Sequence, residues 1–130
     1  MLITADQILA HMVGDYLLQS HWMATEKTKK SVAALAHALC YSVPFMFLST
    51  STSALVVIAV THFIIDRWRL ARFVVAAKNA LSPPADGSVG RYMTATGYPE
   101  ETPTWLAVWL LIIADNILHV AINGLALKYL

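Results

Sequence analysis

The chain has 130 residues, of which 58% are apolar and 13% are charged. Soluble domains are about 45 to 50% apolar and about 25% charged, so this composition argues against an ordinary soluble domain and favours a membrane protein. The net charge of +1 at pH 7 excludes the strongly basic surface that nucleic-acid-binding domains normally carry, so no nucleic acid partner is expected.

The first two apolar segments cover about 4–23 and 31–48. In the first, Thr4 and Gln7 stand at the spacing of a capping box, which predicts that a helix begins there. The second opens with Ser31, a residue type favoured as the N-cap of a helix. Both segments are predicted to cross the membrane as α-helices, because their length approaches the roughly 20 apolar residues that a spanning helix needs.

The last two apolar segments cover about 54–77 and 103–127 and are predicted to be the third and fourth spanning helices. Pro103 supports the start of the fourth, since proline is favoured at the first position of a helix. Between them, about 78–102 is rich in Pro, Gly and Ser and is predicted to be a long, functional or disordered loop. The sequence therefore predicts an all-α fold, with one domain over 1–130 forming a four-helix transmembrane bundle.

Basic residues set the predicted orientation of this bundle. The turn at 49–53 carries none, whereas the first loop and the 78–102 loop are flanked by Lys27, Lys29, Lys30, Arg67, Arg69, Arg72 and Lys78. By the positive-inside rule both basic regions face the cytoplasm, and both termini lie on the other side. The expected location is the inner (cytoplasmic) membrane of a bacterium. Membrane lipids are the expected partners, and the chain can also form a homo-oligomer.

Histidine and aspartate recur in the four predicted helices at a spacing that brings them together. Three helices each carry one histidine and one aspartate four residues apart, and the second helix adds a further histidine. Residues at i and i+4 project from the same helix face, so each pair can direct two donor groups at one point. The candidate metal ligands are His11, Asp15, His37, His62, Asp66, Asp115 and His119.

A metal ion would account for so many ionisable groups inside a membrane. An aspartate at the bilayer centre costs at least about 2.5 to 3.5 kcal/mol, and its coordination to a divalent cation in a helix bundle would offset that cost. Zinc is the expected ion, with manganese, iron and magnesium as alternatives. Seven candidates exceed the four ligands of tetrahedral zinc, so the sequence indicates either two ions or aspartates that hold the ligating histidines.

Two other interpretations of these residues stay open. The histidines can serve as hydrogen-bonding groups between helices, or the Asp and His residues can form a chain that carries protons. Polar residues one helical turn from the candidate ligands are expected either to hydrogen-bond those ligands or to join helices, and these are Gln7, Gln19, Tyr41 and Asn123.

Four short motifs resemble one known family. They are HMVGDYLLQ near the N-terminus, HA in the second segment, HFIID in the third and DNILH in the fourth. Over essentially its whole length the chain resembles the domain of unknown function 3307 family, a group of small bacterial and phage integral membrane proteins. The motifs are also similar in style to membrane-bound metal-dependent hydrolases of the LexA-regulated group. The resemblance implies hydrolysis and implies the same seven ligands.

The expected function is that of a metal-dependent hydrolase. A bound ion would lower the pKa of water toward 7, and Asp15 or Asp66 would act as the general base where it is not fully engaged as a ligand. A site inside the membrane favours a lipid-linked phosphoester or ester as substrate. The alternatives are transport of metal ions or protons, and a structural metal site that staples the bundle. A catalytic site differs from a structural one in its open coordination position.

Overall fold

The computed structural model describes residues 1–82 and 89–130, and none of these residues lies in a strand. The all-α class predicted from the sequence is therefore confirmed for the described part of the chain. Residues 83–88, which belong to the predicted 78–102 loop, lie outside the described residues. The chain divides into two compact units, the first formed by Met1–Trp68 with His119–Leu130 and the second by Arg69–Leu118.

Helices make up most of the first unit. In chain order they are α1 (Ala5–Met12), a π-helical turn (Val13–Leu17), α2 (His21–Glu26), α3 (Ser31–Ser42), a 3-10 helix (Val43–Phe47), α4 (Thr52–Trp68) and the second half of α6 (Thr104–Tyr129). Alanines with at most 1% exposure let α3 and α4 approach closely, and these are Ala33, Ala34, Ala38 and Ala54. Tyr41, Phe45 and Ile58 fill the adjoining core. The apolar core of the first unit therefore contains few large side chains, and polar side chains occupy the rest of its interior.

The predicted continuous helix over 4–23 is wrong. Its start is confirmed, because Thr4 and Gln7 form the complete capping box. The α-helix ends at Met12, however, and a π-helical turn follows it. The hydroxyl of Ser20 then accepts a hydrogen bond from the backbone N–H of Met23, which caps a separate helix, α2.

The second predicted helix begins where expected but with a different cap. Its N-cap is Lys30, which makes no capping bond through its side chain, and Ser31 is the first helical residue. Beyond Ser42 the chain continues as a 3-10 helix with Pro44 near its start. Proline has no N–H to donate to the preceding turn, so this change of helix type at Pro44 is expected.

The third predicted helix, over 54–77, is also interrupted. Arg69 adopts the left-handed conformation with φ of 52°, which ends α4 at Trp68. A left-handed residue commonly terminates an α-helix, although it is rarely an arginine. The chain then forms α5 (Ala71–Leu81), so the predicted segment consists of two helices.

One helix among the described residues is long and apolar enough to cross a membrane. This is α6, with 26 residues and a most apolar window of mean hydropathy 1.9, of which 17% is buried. The sequence predicted four such helices. The difference arises because the other three segments are divided by the breaks described above, which leaves stretches of at most 17 helical residues, or about 25 Å.

The second unit contains α5, a 3-10 helix (Val89–Tyr92) and the first half of α6. The segment that follows the 3-10 helix packs against α5 at Gly97, where φ is +78° and a Cβ would lie 2.4 Å from the carbonyl oxygen of Arg72. The side chain of Asn79 donates to the carbonyl of Gly97 at 2.8 Å. This described part of the predicted loop is therefore held by specific contacts with α5.

Candidate metal centre

The interior of the first unit contains a cluster of polar side chains. Every helical segment of this unit except α2 and the 3-10 helix supplies at least one, and each of them is at most 9% exposed: Gln7, His11, Asp15, His37, His62, Asp66, His119 and Asn123. Burying polar or charged groups is costly unless they are paired or coordinate a metal. These buried groups are therefore expected to pair with one another or to bind a metal ion.

Four donor atoms lie at the middle of this cluster, and we call them the four-donor centre: Asp15 Oδ1, His37 Nε2, His62 Nε2 and Asp66 Oδ2. Asp15 Oδ1 lies 3.2 Å from the His37 nitrogen and 3.4 Å from the His62 nitrogen. Asp66 Oδ2 lies 3.2 Å from each of the same two nitrogens. Each carboxylate oxygen is thus close to both imidazoles.

These separations suit a tetrahedral ion. In a regular tetrahedron the edge is about 1.6 times the distance from centre to corner, so edges of 3.2 to 3.4 Å place the centre roughly 2.0 to 2.1 Å from each donor. Zinc binds histidine nitrogen and carboxylate oxygen at about 2.0 to 2.2 Å. The four separations between carboxylate oxygens and imidazole nitrogens therefore match those around a zinc-sized ion, and all four donor atoms lie within 4.8 Å of one another.

His62 Nε2 provides an independent test of this fit. The atom is buried and makes no hydrogen bond to any described residue. Both nearby carboxylate oxygens lie within 3.4 Å of it, yet neither has the geometry of a hydrogen bond. A buried ring nitrogen that lies close to two carboxylates and makes no hydrogen bond is available as a metal ligand.

The two oxygens of Asp66 have different neighbours. Oδ2 belongs to the four-donor centre, whereas Oδ1 lies 3.3 Å from Nε2 of His119. The ring of His119 lies 4.2 Å from the ring of His62, measured between centroids. Asp66 thereby connects the centre to α6, which carries His119.

Tyr41 holds the histidines in place. Its ring stacks on that of His62 with centroids 3.6 Å apart and an interplanar angle of 14°. Its hydroxyl lies 2.8 Å from Nδ1 of His11 and accepts a hydrogen bond from the amide of Asn123 at 2.5 Å. Tyr41 and Asn123 therefore hydrogen-bond within the cluster, as one of the two sequence interpretations expected.

The two glutamines differ from that expectation. Gln7 uses its side-chain oxygen to accept from the backbone N–H of Thr4, so it completes the helix cap. Gln19 has a buried side-chain oxygen that makes no hydrogen bond to any described residue. Neither glutamine is shown bonding to a candidate ligand, and the expectation for Gln7 is corrected to a capping role.

Lys27 is the residue of this cluster that sequence reasoning missed. The sequence predicts only that it flanks the first cytoplasmic loop, but its ammonium donates to Asp66 Oδ2 at 2.6 Å and lies 3.2 Å from Nε2 of His37. Lys30, by contrast, pairs with Glu26 and lowers the pKa of that partly buried carboxyl. Nothing in the sequence distinguishes Lys27 from the neighbouring lysines, because its role depends on the turn between α2 and α3.

The first unit brings together six of the seven predicted ligands, namely His11, Asp15, His37, His62, Asp66 and His119. His11 stands apart from the four-donor centre, since its Nδ1 lies 3.6 Å from Asp15 Oδ2 and bonds to the Tyr41 hydroxyl. The seventh, Asp115, lies four residues before His119 on α6, is half-buried and belongs to the second unit.

Comparison with known proteins gives one result. The model of a protein family described as Protein of unknown function (DUF3307) matches residues 3–123. No curated protein and no solved structure matches the chain. The matched region contains all four residues of the four-donor centre together with Lys27, Tyr41 and His119. Because the match extends over nearly the whole sequence, the chain belongs to the DUF3307 family.

Proposed function

We propose that this protein is a membrane-embedded metal-dependent hydrolase that holds its ion at the four-donor centre. The observation that carries the proposal is the geometry of that centre: two carboxylates and two imidazoles, all buried, with each carboxylate oxygen 3.2 to 3.4 Å from both imidazole nitrogens. Salt bridges alone do not explain this geometry, since His62 Nε2 is directed at neither carboxylate as a hydrogen bond.

The donor set indicates the class of ion. Two imidazole nitrogens and two carboxylate oxygens suit zinc best, and the same donors bind manganese or iron. Magnesium is less well matched, because it prefers oxygen ligands and an octahedral shell. An ion at this position supplies a polarising charge and a water of lowered pKa.

The two carboxylates have different surroundings, which suggests different roles. Asp66 is only 4% exposed in its side chain and is held by Lys27 and His119, so it is suited to be a fixed ligand. Asp15 is 10% exposed and therefore nearer to solvent. We assign Asp15 as the ligand that can yield a coordination position to substrate and accept a proton from water, in line with the open position that catalytic zinc requires.

A membrane location is supported by α6 and by the exposed apolar side chains. Phe47, Leu17 and Trp105 are 85%, 75% and 67% exposed, which is unfavourable in water. The two 17-residue stretches, Ser31–Phe47 and Thr52–Trp68, reach about 25 Å, a few ångströms below the hydrocarbon thickness, and local thinning of the bilayer can accommodate that mismatch. We therefore propose a multi-pass arrangement in the bacterial inner membrane and a lipid-linked phosphoester or ester as substrate.

Metal analysis is the first test. Protein purified in detergent should contain or take up close to one equivalent of zinc or manganese per chain, and Asp66→Asn should abolish that uptake. Asp6→Asn, at an exposed position on α1, is the control and should bind metal as the unaltered protein does. Absence of metal binding in the unaltered protein would refute the proposal.

Hydrolysis is tested separately from folding. Asp15→Asn keeps the shape of the side chain, so the protein should fold, bind metal more weakly and lose about 100-fold or more in release of headgroup or acyl product from bacterial lipid extracts. If the metal only staples the fold, the same substitution should reduce the yield of folded protein and no metal-dependent product should appear. That second result would favour the structural alternative.

A further inference from the structure

We propose that Lys27 and the ion at the four-donor centre form a two-point site for a phosphoryl oxyanion, so that the substrate is a phosphoester rather than a carboxylic ester. The inference rests on the proposed metal binding, and it narrows the substrate class of the same site. It is carried by the position, fixation and exposure of the Lys27 ammonium.

The Lys27 ammonium lies close to the position of the proposed ion. The Lys27 ammonium lies 2.6 Å from Asp66 Oδ2, and an ion at the four-donor centre would lie about 2.0 to 2.2 Å from the same oxygen. The ammonium also lies 3.2 Å from His37 Nε2, a second donor of the centre, so the ion and the ammonium are then at most about 3.9 Å apart. One tetrahedral oxyanion can place one oxygen on the ion and another on the ammonium across this distance.

The turn that carries Lys27 is fixed to α4 by hydrogen bonds from Arg67. The guanidinium of Arg67 donates to the carbonyl oxygen of Thr28 at 2.7 Å and to the hydroxyl of Ser31 at 3.2 Å. Arg67 follows Asp66 directly on α4, so the turn that carries Lys27 is tied to the helix that carries the metal ligand. The turn is therefore held beside α4, and the bond to Asp66 Oδ2 holds the ammonium at the centre.

The Lys27 side chain is also accessible to a ligand that approaches the centre. The side chain of Lys27 is 20% exposed, compared with 10% for Asp15 and 4% for Asp66. His37 and His62 are 0% and 1% exposed. Lys27 is thus the most exposed charged group in contact with the centre, and a ligand that approaches from this side meets the ammonium before the metal ligands.

The donors of the Lys27 ammonium suit the oxygens of a phosphate ester. Lysine offers three donors, of which one bonds to Asp66 Oδ2 and a second is within reach of His37 Nε2, so one is left for a ligand. Phosphate esters present at least two charged oxygens, which an ion and an ammonium can bind together, and lysine is a regular phosphate-binding residue. A carboxylic ester presents one neutral carbonyl oxygen, for which the ion alone is sufficient. The added cation therefore selects the phosphorylated class.

The experiment compares metal-loaded protein in detergent with its Lys27→Met variant. The probes are inorganic phosphate, short-chain phosphatidic acid and a neutral monoacylglycerol of the same chain length. We expect Lys27→Met to weaken binding of at least one phosphorylated probe by about 10-fold to 100-fold and to leave the neutral ester unchanged. Dependence confined to phosphatidic acid would identify a lipid headgroup as the source, and dependence confined to inorganic phosphate would identify a free phosphoester.

Lys29→Met is the matched control, because the Lys29 side chain is 68% exposed and lies near Glu26, away from the centre. It should bind every probe as the unaltered protein does. Equal binding of both phosphorylated probes by Lys27→Met and the unaltered protein would overturn the inference while metal binding stands. Absence of metal binding in the unaltered protein would overturn the proposed function, and this inference with it.

A measurement on the unaltered protein covers the case in which Lys27→Met does not fold. Acetylation of individual lysines is followed by mass spectrometry with and without inorganic phosphate or phosphatidic acid. A bound phosphoryl group should slow acetylation of Lys27 several-fold and leave Lys29 and Lys30 unaffected. Equal acetylation of Lys27 with and without both probes would contradict the proposal.

Discussion

Replacing Gly14 with alanine tests whether the metal centre depends on close packing between the π-helical turn and α3. Gly14 precedes the ligand Asp15 in the chain. A Cβ added at Gly14 would lie 2.7 Å from Cδ2 of Tyr41 and 2.8 Å from the carbonyl oxygen of the same residue. The ring can rotate, but the carbonyl belongs to the backbone of α3, so the π-helical turn and α3 must move apart.

The size of the movement follows from these distances. Non-bonded carbon atoms pack at about 3.5 to 4.0 Å, so the contact with Tyr41 is short by roughly 1 Å. Metal–ligand distances tolerate only about 0.2 Å, and a shift of this size at the neighbouring Asp15 exceeds that limit severalfold. Alanine is the better helix former by about 1 kcal/mol, whereas overpacking costs about 1 to 3 kcal/mol, so the net effect on folding should be destabilising.

The assay is metal affinity by competition with a chromophoric chelator, together with thermal melting in detergent. Gly14→Ala should bind zinc about 10-fold to 100-fold more weakly, in line with the loss expected when supporting contacts of a metal site are removed. Gly90→Ala is the control, since a Cβ there has no atom within 4 Å. Zinc affinity of Gly14→Ala within twofold of the unaltered protein, with the same melting temperature, would refute the reasoning.

Three further outcomes are expected. Tyr41→Phe removes the hydroxyl that joins His11 to Asn123, and the buried Asn123 amide then loses its acceptor. Its free energy of unfolding in a denaturant titration should fall by about 1 to 3 kcal/mol, and an unchanged value would show that this hydroxyl is not needed. Gly124→Ala places a Cβ 2.6 Å from the carbonyl oxygen of Leu2, so it should release the N-terminal segment and speed its proteolysis; equal cleavage rates would contradict this. Removing the metal with a strong chelator should lower the melting temperature by about 5 °C or more, because two carboxylates then remain in a buried site, and an unchanged temperature after verified metal loss would favour the proton-carrying interpretation.

The parts of the site that the sequence predicted are those set by local helix geometry. His62 and Asp66 stand four apart on α4, so both had to point the same way once a helix formed there. The high cost of burying carboxylates then required a partner, which gave the convergence with His37 and Asp15. The start of α1 was predictable for the same reason, because a capping box is complete within four residues.

The parts that the sequence did not predict depend on contacts between distant residues. Lys27 reaches Asp66 only because of the turn after α2, and its sequence neighbourhood resembles that of two lysines with no such contact. The π-helical turn requires Gly14 to pack on Tyr41, which is 27 positions away in the chain. The left-handed Arg69 divides the 54–77 segment, whose apolar composition predicts one spanning helix, into α4 and α5.

The π-helical turn at Val13–Leu17 also affects how this protein can lose its function in evolution. Such a turn holds one residue more than an α-helical turn, and removing that residue would restore a regular helix. Each residue in an α-helix advances the helical phase by about 100°, so a deletion ahead of Asp15 would turn its carboxylate by about that angle around the helix axis, away from His37 and His62. Every ligand type and the apolar surface would survive such a deletion while the metal centre did not. Sequences of this kind are therefore best compared by the spacing between His11 and Asp15 as well as by the identity of the ligands.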